Sequence, residues 1–204
     1  MSVGGYDEGY ASCDCFWGTS PGSLIRDFIE KRPSLTEMRV LDLGCGEGKN
    51  AVAFARSGAD VVAVDCSSLA LANGQKHFLD SGIRWQLSDA SAYLASCEKF
   101  DAVIMYGLLH CLPSSANIAS TIEMALRKTR IGGYHFVVAF NDGPHDFTAH
   151  PNFSPTLLPH TFYLRQYAQL QVLHQSNSVI HETHPHNQIP HFHSLTRLVA
   201  RKVQ

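Results

Sequence analysis

The stretch Val40-Leu-Asp-Leu-Gly-Cys-Gly-Glu-Gly-Lys-Asn50 predicts the fold of this chain. It begins with an apolar run that is typical of a short buried strand, and a helical pattern follows it at residues 50–57. Between the two, Gly44, Gly46 and Gly48 allow the backbone to approach a ligand closely, because glycine carries no Cβ. A glycine turn between a strand and a helix is where an open parallel sheet binds its ligand.

Two common glycine motifs do not fit this turn. A dinucleotide-binding fingerprint has glycine at its first, third and sixth positions, but the sixth position here is Lys49. A Walker A loop has four residues between its first glycine and a Gly-Lys-Ser/Thr triplet. Here Gly48 and Lys49 are followed by Asn50, and the residue at the required upstream position is Leu43. The turn is therefore not predicted to hold a pyrophosphate or a triphosphate.

Strands alternate with helices on either side of the turn. Strands are predicted at residues 39–43, 60–65, 83–88, 100–106 and 134–140, and helices after Pro21 and at residues 50–57, 67–80, 114–127 and 162–168. This alternation predicts a parallel sheet with helices on both faces. Two further strand-like runs, 170–180 and 192–202, predict an antiparallel hairpin at one edge of the sheet. They follow a proline-rich loop at residues 142–159.

The whole chain, residues 1–204, is predicted to form a single domain with three parts. Residues 1–35 would be an N-terminal cap segment and a helix, of which the first nineteen residues read as an irregular leader. Residues 36–141 would be the ligand-binding core, and residues 142–204 would supply the loop, a short helix and the hairpin.

Composition excludes several classes of protein. Hydrophobic residues make up 45% of the chain and charged residues 17%, which is enough for a core. The net charge of −2 argues against a nucleic-acid partner, because phosphate contacts need a basic surface. No apolar run approaches the ~18 residues of a membrane span, and the N-terminus lacks the features of a signal peptide. We expect a cytoplasmic protein without a membrane partner, and either a monomer or a homodimer.

Acidic residues occur at the ends of three successive predicted strands. Asp42 precedes the first glycine by two residues, where a carboxylate would repel a pyrophosphate but attract a cation. Asp65 ends the second strand, where it can accept both hydroxyls of a ribose. Asp89 follows the third strand, where an adenine edge would lie. The predicted ligand is a nucleoside with a positive charge and no phosphate, and S-adenosylmethionine fits that description.

The sequence resembles the class I S-adenosylmethionine-dependent methyltransferases over residues 38–140. VLDLGCGEG (40–48) looks like their first motif, VVAVDCS (61–67) their second, LSDAS (87–91) the adenine-side acid, and FDAVIMYGLLHCL (100–112) the fourth strand and its exit. The resemblance implies an α/β fold with a Rossmann-like, doubly wound, seven-stranded and mostly parallel sheet with one antiparallel edge strand. The run at 48–50 and the ending LVARK look more particularly similar to the tellurite-resistance branch.

The same resemblance implies a cofactor site. Gly44 and Gly46 would approach the methionine part of the cofactor, and Asp42 would orient its ammonium group directly or through water. Asp65 would hold the ribose hydroxyls, and Asp89 would meet the adenine amine. The full implied set is Asp42, Gly44, Cys45, Gly46, Gly48, Asp65, Cys66, Asp89, Ala90, Tyr106 and Leu108.

Some members of this set have a plainer alternative. Cys66 would pack beside the adenine and Ala90 would offer backbone contacts, but both are equally compatible with simple core packing. Tyr106 to Leu108 would line the cofactor at the exit of the fourth strand. The expected cofactor is S-adenosylmethionine, with S-adenosylhomocysteine as the product.

Candidate catalytic residues follow from the chemistry of methyl transfer. The enzyme mainly places a nucleophile ~3 Å from the methyl carbon and excludes water, and it needs a base only if the acceptor arrives protonated. His110 is the candidate base, and the alternative is a histidine that supports the loop or the adenine site. Tyr6 and Tyr10 in the leader would position the methyl group or the substrate by cation–π attraction, or else anchor the leader. Trp17 would be a pocket wall or a surface plug.

The late histidines form two His-x-His pairs, His184 with His186 and His191 with His193. Alternate residues of a strand point to one face, so either pair could offer two imidazoles to a metal. Glu182 is the accompanying carboxylate, and the neighbouring prolines favour an exposed hairpin loop. No metal site is therefore predicted.

The cysteines give two weaker expectations. Cys45, Cys66, Cys97 and Cys111 lie in apolar stretches and are expected to be buried thiols. Cys13 and Cys15 could capture a thiophilic substrate such as an arsenic or tellurium oxyanion, although Cys-x-Cys spacing is a weak signal.

The predicted function is S-adenosylmethionine-dependent methylation of a small molecule at a thiol or other chalcogen, an oxygen or a nitrogen. A module that binds the adenosyl cofactor without turnover is the alternative from another class. A nicotinamide-dependent reductase is a further alternative, against which the missing sixth-position glycine argues.

Overall fold

The computed structural model describes residues 6–32, 34–150, 152–184 and 188–204, and seven strands within them form a sheet. The strands are β1 (Arg39–Leu43), β2 (Asp60–Asp65), β3 (Arg84–Leu87), β4 (Phe100–Tyr106), β5 (Thr129–His145), β6 (Gln171–Glu182) and β7 (His191–Arg201). The helices are α1 (Asp7–Ser12), α2 (Ser23–Glu30), α3 (Lys49–Arg56), α4 (Ser68–His77), α5 (Ala90–Ser96), α6 (Ser115–Arg127) and α7 (His160–Gln166). A 3₁₀ turn lies at Leu109–Cys111.

The strand order is β3-β2-β1-β4-β5-β7-β6. The first five strands of that order pair in parallel, whereas β7 runs antiparallel to both of its neighbours, β5 and β6. The predicted Rossmann-like sheet with a single antiparallel strand is confirmed. That strand is β7, and it lies between β5 and the outermost strand β6 because the hairpin joins the sheet through its second strand.

Two apolar clusters cover the two faces of the sheet. Successive residues of a strand point to opposite faces, so Val40 of β1 joins one cluster and Leu41 joins the other. The first cluster packs the sheet against α2 and α3, with Phe54 and Phe136 fully buried at its centre. The second packs it against α5, α6 and α7. This double cover leaves the carboxyl ends of the parallel strands as the place for a ligand.

The structure differs from the sequence prediction in three elements. The leader contains a helix, α1, whose acidic first turn of Asp7 and Glu8 suits the positive end of the helix dipole. A further helix, α5, is capped by Asp89, which is a local signal that the prediction overlooked. Strand β5 continues to His145 rather than ending at residue 140, because His145 pairs with His193 of β7.

No helix within the described residues is long and apolar enough to cross a membrane.

A buried histidine, His135 of β5, is held in the neutral state by its partners. The hydroxyl of Thr129 donates to the carbonyl of Ala125, so it accepts from Nε2–H of His135, at 2.7 Å. Nδ1 of His135 therefore carries no hydrogen, and it accepts from the Tyr167 hydroxyl at 3.1 Å. Burial of the ring lowers the pKa of His135 from 6.5 to about 3.

Because His135 is buried in its neutral form, we expect it to lower the stability of the folded protein in acid. The unfolded chain binds a proton below pH 6.5 while the folded ring stays neutral to about pH 3, so the free energy of unfolding falls as the pH decreases through this window. One such group contributes about 1.4 kcal/mol per pH unit. We expect His135→Gln to flatten the dependence between pH 6 and pH 4 in urea titrations, with the exposed His174→Gln keeping the wild-type slope. An unchanged slope in His135→Gln would contradict the neutral assignment.

Candidate functional site

A cavity of about 720 Å³ lies along the carboxyl ends of the strands. It is lined by the predicted residues Tyr6, Tyr10, Gly44, Cys45, Gly46, Gly48, Asp65, Cys66, Asp89, Ala90, Tyr106, Leu108 and His110. Asp42 is not among the described residues of the wall. The structure thus brings the other predicted site residues together, and the role of each stays a prediction.

The glycine turn needs glycine for two reasons. Gly44 and Gly46 have φ angles of 66° and 55°, in the left-handed region that other residues rarely adopt. A Cβ on Gly44 would lie 2.9 Å from Leu108, and a Cβ on Gly46 would lie 2.8 Å from the hydroxyl of Tyr10. The close approach of α1 to the turn therefore also depends on Gly46.

The carboxylate of Asp65 is fixed by the backbone of the same turn. Its Oδ2 accepts from the amide of Gly46 and its Oδ1 from the amide of Ser67, both at 2.8 Å. Burial raises the pKa of Asp65, while these amides oppose the shift. A carboxylate has about four acceptor positions, so each oxygen retains acceptor capacity for a ligand hydroxyl.

Asp89 keeps one oxygen for a ligand. Its Oδ1 accepts from the amides of Ser91 and Ala92, at 2.8 and 3.1 Å, as the N-cap of α5. Oδ2 is therefore the atom that can meet an amine in the cavity.

Asp42 is buried beneath the turn, with 1% of its surface exposed. A backbone hydrogen bond from Ala51 reaches its carboxyl group, and its Oδ2 has no hydrogen-bond partner within the described residues. Burial raises the pKa of Asp42 to about 7. Since the side chain does not reach the wall, a bridged contact to a ligand ammonium suits its position better than a direct one.

The N-terminal segment is tied to the glycine turn. Glu47 accepts from the amide of Cys15 at 2.9 Å and from Asn73 at 3.1 Å. Lys49 donates to the carbonyl of Trp17 at 2.8 Å. Residues 15–17 therefore lie across the turn, and Trp17 is a wall of the cavity. Sequence reasoning missed Glu47, whose signal was an acidic residue placed between two glycines.

The rest of this cover is aromatic. The indole of Trp17 donates to the hydroxyl of Tyr10 at 3.3 Å, and Tyr6 packs edge-on against Trp17 at 4.9 Å. Asp7 accepts from the hydroxyl of Ser67 at 2.6 Å, which fixes the start of α1 to the end of β2.

His110 is buried and acts as a hydrogen-bond donor. Its Nδ1 accepts from the amide of Phe140 at 3.1 Å, so in the neutral ring Nε2 carries the hydrogen. Nε2 lies 3.5 Å from the hydroxyl of Tyr6. Burial lowers the pKa of His110 to about 3. This geometry favours a supporting role for His110 over that of a general base, which stays untested.

Two charged residues that the sequence analysis did not place in the cofactor site line the far end of the cavity. Arg197 of β7 donates to the hydroxyl of Ser178 at 2.9 Å, and its Nε is buried with no partner in the described parts of the chain. Glu182 of β6 also lines the cavity, and burial raises its pKa. Their strands follow the residues used for the motif analysis, so the motifs gave no sign of them.

The cysteine expectations need correction. Cys45, Cys66, Cys97 and Cys111 are half-buried rather than core thiols. Cys97 is the C-cap of α5, and Cys45, Cys66 and Cys111 belong to the turns that end the strands and line the cavity. Cys13 and Cys15 are absent from its described walls. The amide of Cys15 bonds to Glu47 instead.

The expectation of an exposed histidine loop is wrong for His184, His191 and His193. His184, His191 and His193 expose 3% or less of their surface. His184 stacks on Phe16 of the leader, and His193 stacks on Phe140 of β5, so both rings are covered by aromatic neighbours. His186 lies outside the described residues.

Comparison with known proteins finds a methyltransferase domain in the middle of the chain. Residues 40–133 match the family model described as a methyltransferase domain. The ubiquinone biosynthesis O-methyltransferase of Hahella chejuensis is 33% identical over 129 residues, which cover 61% of this chain and 52% of that protein. The chain spans about half the length of the curated relatives it matches.

Solved structures share the fold. TehB from Haemophilus influenzae matches with a TM-score of 0.73 and 21% identity, covering 89% of this chain and 62% of that one. The N-methyltransferase NodS from Bradyrhizobium japonicum, solved in complex with S-adenosyl-L-homocysteine, matches with a TM-score of 0.68 and 15% identity, covering 99% and 98%. The matched methyltransferase domain falls within the region whose motifs resemble the class I S-adenosylmethionine-dependent methyltransferases. The similarity to the tellurite-resistance branch stays a prediction.

The hydrogen bond between Glu47 and the N-terminal segment should restrict the mobility of that segment. Hydrogen bonds to a carboxylate contribute about 1.5–3 kcal/mol. We expect Glu47→Ala to speed amide hydrogen exchange across residues 13–18 by about tenfold or more, as measured by mass spectrometry, while the exposed Glu37→Ala leaves it unchanged. Equal protection in both variants would show that Glu47 does not hold the segment.

Proposed function

We propose that this chain binds S-adenosylmethionine and transfers its methyl group to a small-molecule nucleophile. The observation that carries the proposal is a cavity that continues from Asp65 and Asp89 on one side of the sheet to Arg197 and Glu182 on the other. The match of residues 40–133 to a methyltransferase domain supports the same chemistry.

The residues of the turn fit this cofactor. Asp65 retains an acceptor position on each oxygen, which suits the two hydroxyls of a ribose. Asp89 Oδ2 suits an amine, and Gly44 and Gly46 present backbone rather than side chain to the cavity. The acids at this end favour a ligand without phosphate. When bound, S-adenosylmethionine supplies an electrophilic methyl group on a positively charged sulfur.

The cavity has room for a second molecule beyond the cofactor end. In the strand order, β2 with Asp65 and β7 with Arg197 are four strands apart, or about 19 Å at about 4.8 Å per strand. A module that only held the cofactor would not need a charged far end. We assign the acceptor to this end, between Tyr106, Arg197 and Glu182.

The chain's own residues would act by positioning and by excluding water. Tyr6, Tyr10 and Trp17 close the cavity with aromatic faces, which attract a sulfonium cation. His110 donates to Tyr6 and so fixes the hydroxyl of that ring. The acceptor atom is proposed as an oxygen first, on the strength of the O-methyltransferase relatives, with a thiol or other chalcogen and a nitrogen as the alternatives.

The first test replaces the acid at one end of β2. We expect Asp65→Ala to weaken S-adenosylmethionine and S-adenosylhomocysteine binding at least tenfold, because two charge-assisted hydrogen bonds are lost. Asp60, at the opposite end of the same strand, pairs with Arg39 and Arg84 on the surface and supplies the matched control Asp60→Ala. Calorimetric titration measures both variants, and an unchanged affinity in Asp65→Ala would refute the ribose assignment.

A second test separates two roles for His110. If the ring only positions Tyr6, then His110→Ala and Tyr6→Phe each lower the rate by about tenfold or less, and the double variant loses little more. Initial rates with an acceptor found by screening phenols and thiols give this comparison. A much larger loss in His110→Ala, with an altered pH profile, would instead identify His110 as the base.

A further inference from the structure

Four histidine rings pack together behind the N-terminal segment. His150 follows β5, His184 follows β6, and His191 and His193 belong to β7. Nε2 of His150 and Nε2 of His184 are 2.8 Å apart. The ring of His191 lies 4.7 Å from that of His184 and 5.1 Å from those of His150 and His193. Each of the four exposes 9% of its surface or less.

The hydrogen bonding of His191 leaves a free lone pair on one nitrogen. Its Nδ1 lies 2.8 Å from the carbonyl of Ile189, so Nδ1 must carry the hydrogen and donate. In the neutral ring, Nε2 is then the unprotonated nitrogen. Nε2 is buried, has no hydrogen-bond partner among the described residues, and lies 3.8 Å from Glu182 Oε1.

Two successive hydrogen bonds set the tautomer of His193, which is the same as that of His191. Nε2 of His145 lies 2.7 Å from the carbonyl of Asn141 and must donate to it, so Nδ1 of His145 is an acceptor. Nδ1 of His193, at 3.2 Å, donates to that nitrogen. Nε2 of His193 is therefore a second unprotonated nitrogen, buried and without a partner in the described ranges.

Two buried lone pairs without donors cost free energy unless something binds them. One ligand atom each from His150, His191 and His193 lie within 4.8 Å of one another. Three nitrogens at 2.0–2.1 Å from one tetrahedral ion would be about 3.3 Å apart, so a small inward shift brings them together. Metal-binding histidines usually donate their other nitrogen to a carbonyl or a similar group, as His191 does to Ile189 and His193 to His145.

We propose that His150, His191 and His193 form a site for one divalent transition-metal ion of the zinc type. Imidazole nitrogens suit Zn²⁺, Cu²⁺ and Ni²⁺ rather than Mg²⁺ or Ca²⁺. Nε2 of His184 lies 2.8 Å from Nε2 of His150, and one ligand atom each from Glu182, His184 and His191 are also within 4.8 Å of one another. The fourth ligand comes from either His184 or Glu182. A cleft of about 340 Å³ lined by Glu182 and His191 gives the ion a route to the site.

The ion would hold together the parts of the chain that cover the cavity. His184 packs on Phe16 and Trp17, and His150 packs edge-on against Tyr6. Glu182 lines both the cavity and the cleft. The metal would thus join the end of β6, β7 and the segment after β5 beneath the N-terminal cover. The site does not depend on the proposed methyl transfer.

The experiment uses the full chain without a histidine tag, freed of metal with a chelator. We expect calorimetry with ZnCl₂ to give one equivalent bound and the melting temperature to rise with zinc. His191→Ala and His193→Ala should weaken zinc binding by about hundredfold or more, since each removes a ligand. The exposed His174→Ala on β6 is the control and should bind zinc like the wild type.

A measurement on the wild type keeps the proposal testable if the buried variants fold poorly. X-ray absorption of the zinc-loaded chain should show at least three imidazole nitrogens at about 2.0–2.1 Å. Weak binding of several zinc ions, equally strong in His191→Ala and His174→Ala, would overturn the proposal. So would zinc in a shell of oxygens, or no binding by folded wild-type protein.

Discussion

The hydrogen bond from the amide of Gly46 to the carboxylate of Asp65 joins the two motifs on which the site depends. It holds the glycine turn after β1 against the end of β2, and it aims the Asp65 carboxylate before any ligand arrives. The left-handed conformation of Gly46 makes this bond possible and leaves space for Tyr10 above the turn. Because the turn is fixed, the next residues, Glu47 and Lys49, face the N-terminal segment and hold it. A pre-formed site of this kind binds without a further ordering cost.

The sheet order separates the two ends of the cavity. The acids that suit a nucleoside follow β2 and β3, whereas Arg197 and Glu182 belong to β7 and β6 on the other side of β1 and β4. The carboxyl ends of the parallel strands lie along one edge of the sheet. Arg197 of the antiparallel β7 pairs with Val138 of β5, which also lines the cavity, so one cavity reaches both groups. The aromatic cover of Tyr6, Tyr10 and Trp17 closes the cavity from the leader. Positioning and exclusion of water are the two contributions that methyl transfer requires of a protein.

The parts of the fold governed by local patterns could be predicted from the sequence. The strand at residues 39–43, the helix that follows β2 and the acids at the strand ends are each set by neighbouring residues, and the structure has them where they were expected. The helix in the leader was missed because its burial depends on contact with the distant α4. The histidine cluster was read as an exposed loop because its burial depends on Phe16 and Phe140, which are far away in sequence. The tautomer of His193 depends in turn on the carbonyl of Asn141, through the ring of His145. Spacing along the chain carries no information about such partners.

Calorimetric titration of the wild-type chain with S-adenosylmethionine, S-adenosylhomocysteine and NADH tests the central claim most directly. The account predicts micromolar binding of both adenosyl ligands with one site per chain, and no binding of NADH, because Lys49 stands where a dinucleotide fingerprint has its third glycine. Folded protein that binds neither adenosyl ligand would contradict the assignment of the glycine turn and of Asp65. Binding of NADH in their place would reinstate a nicotinamide-dependent activity.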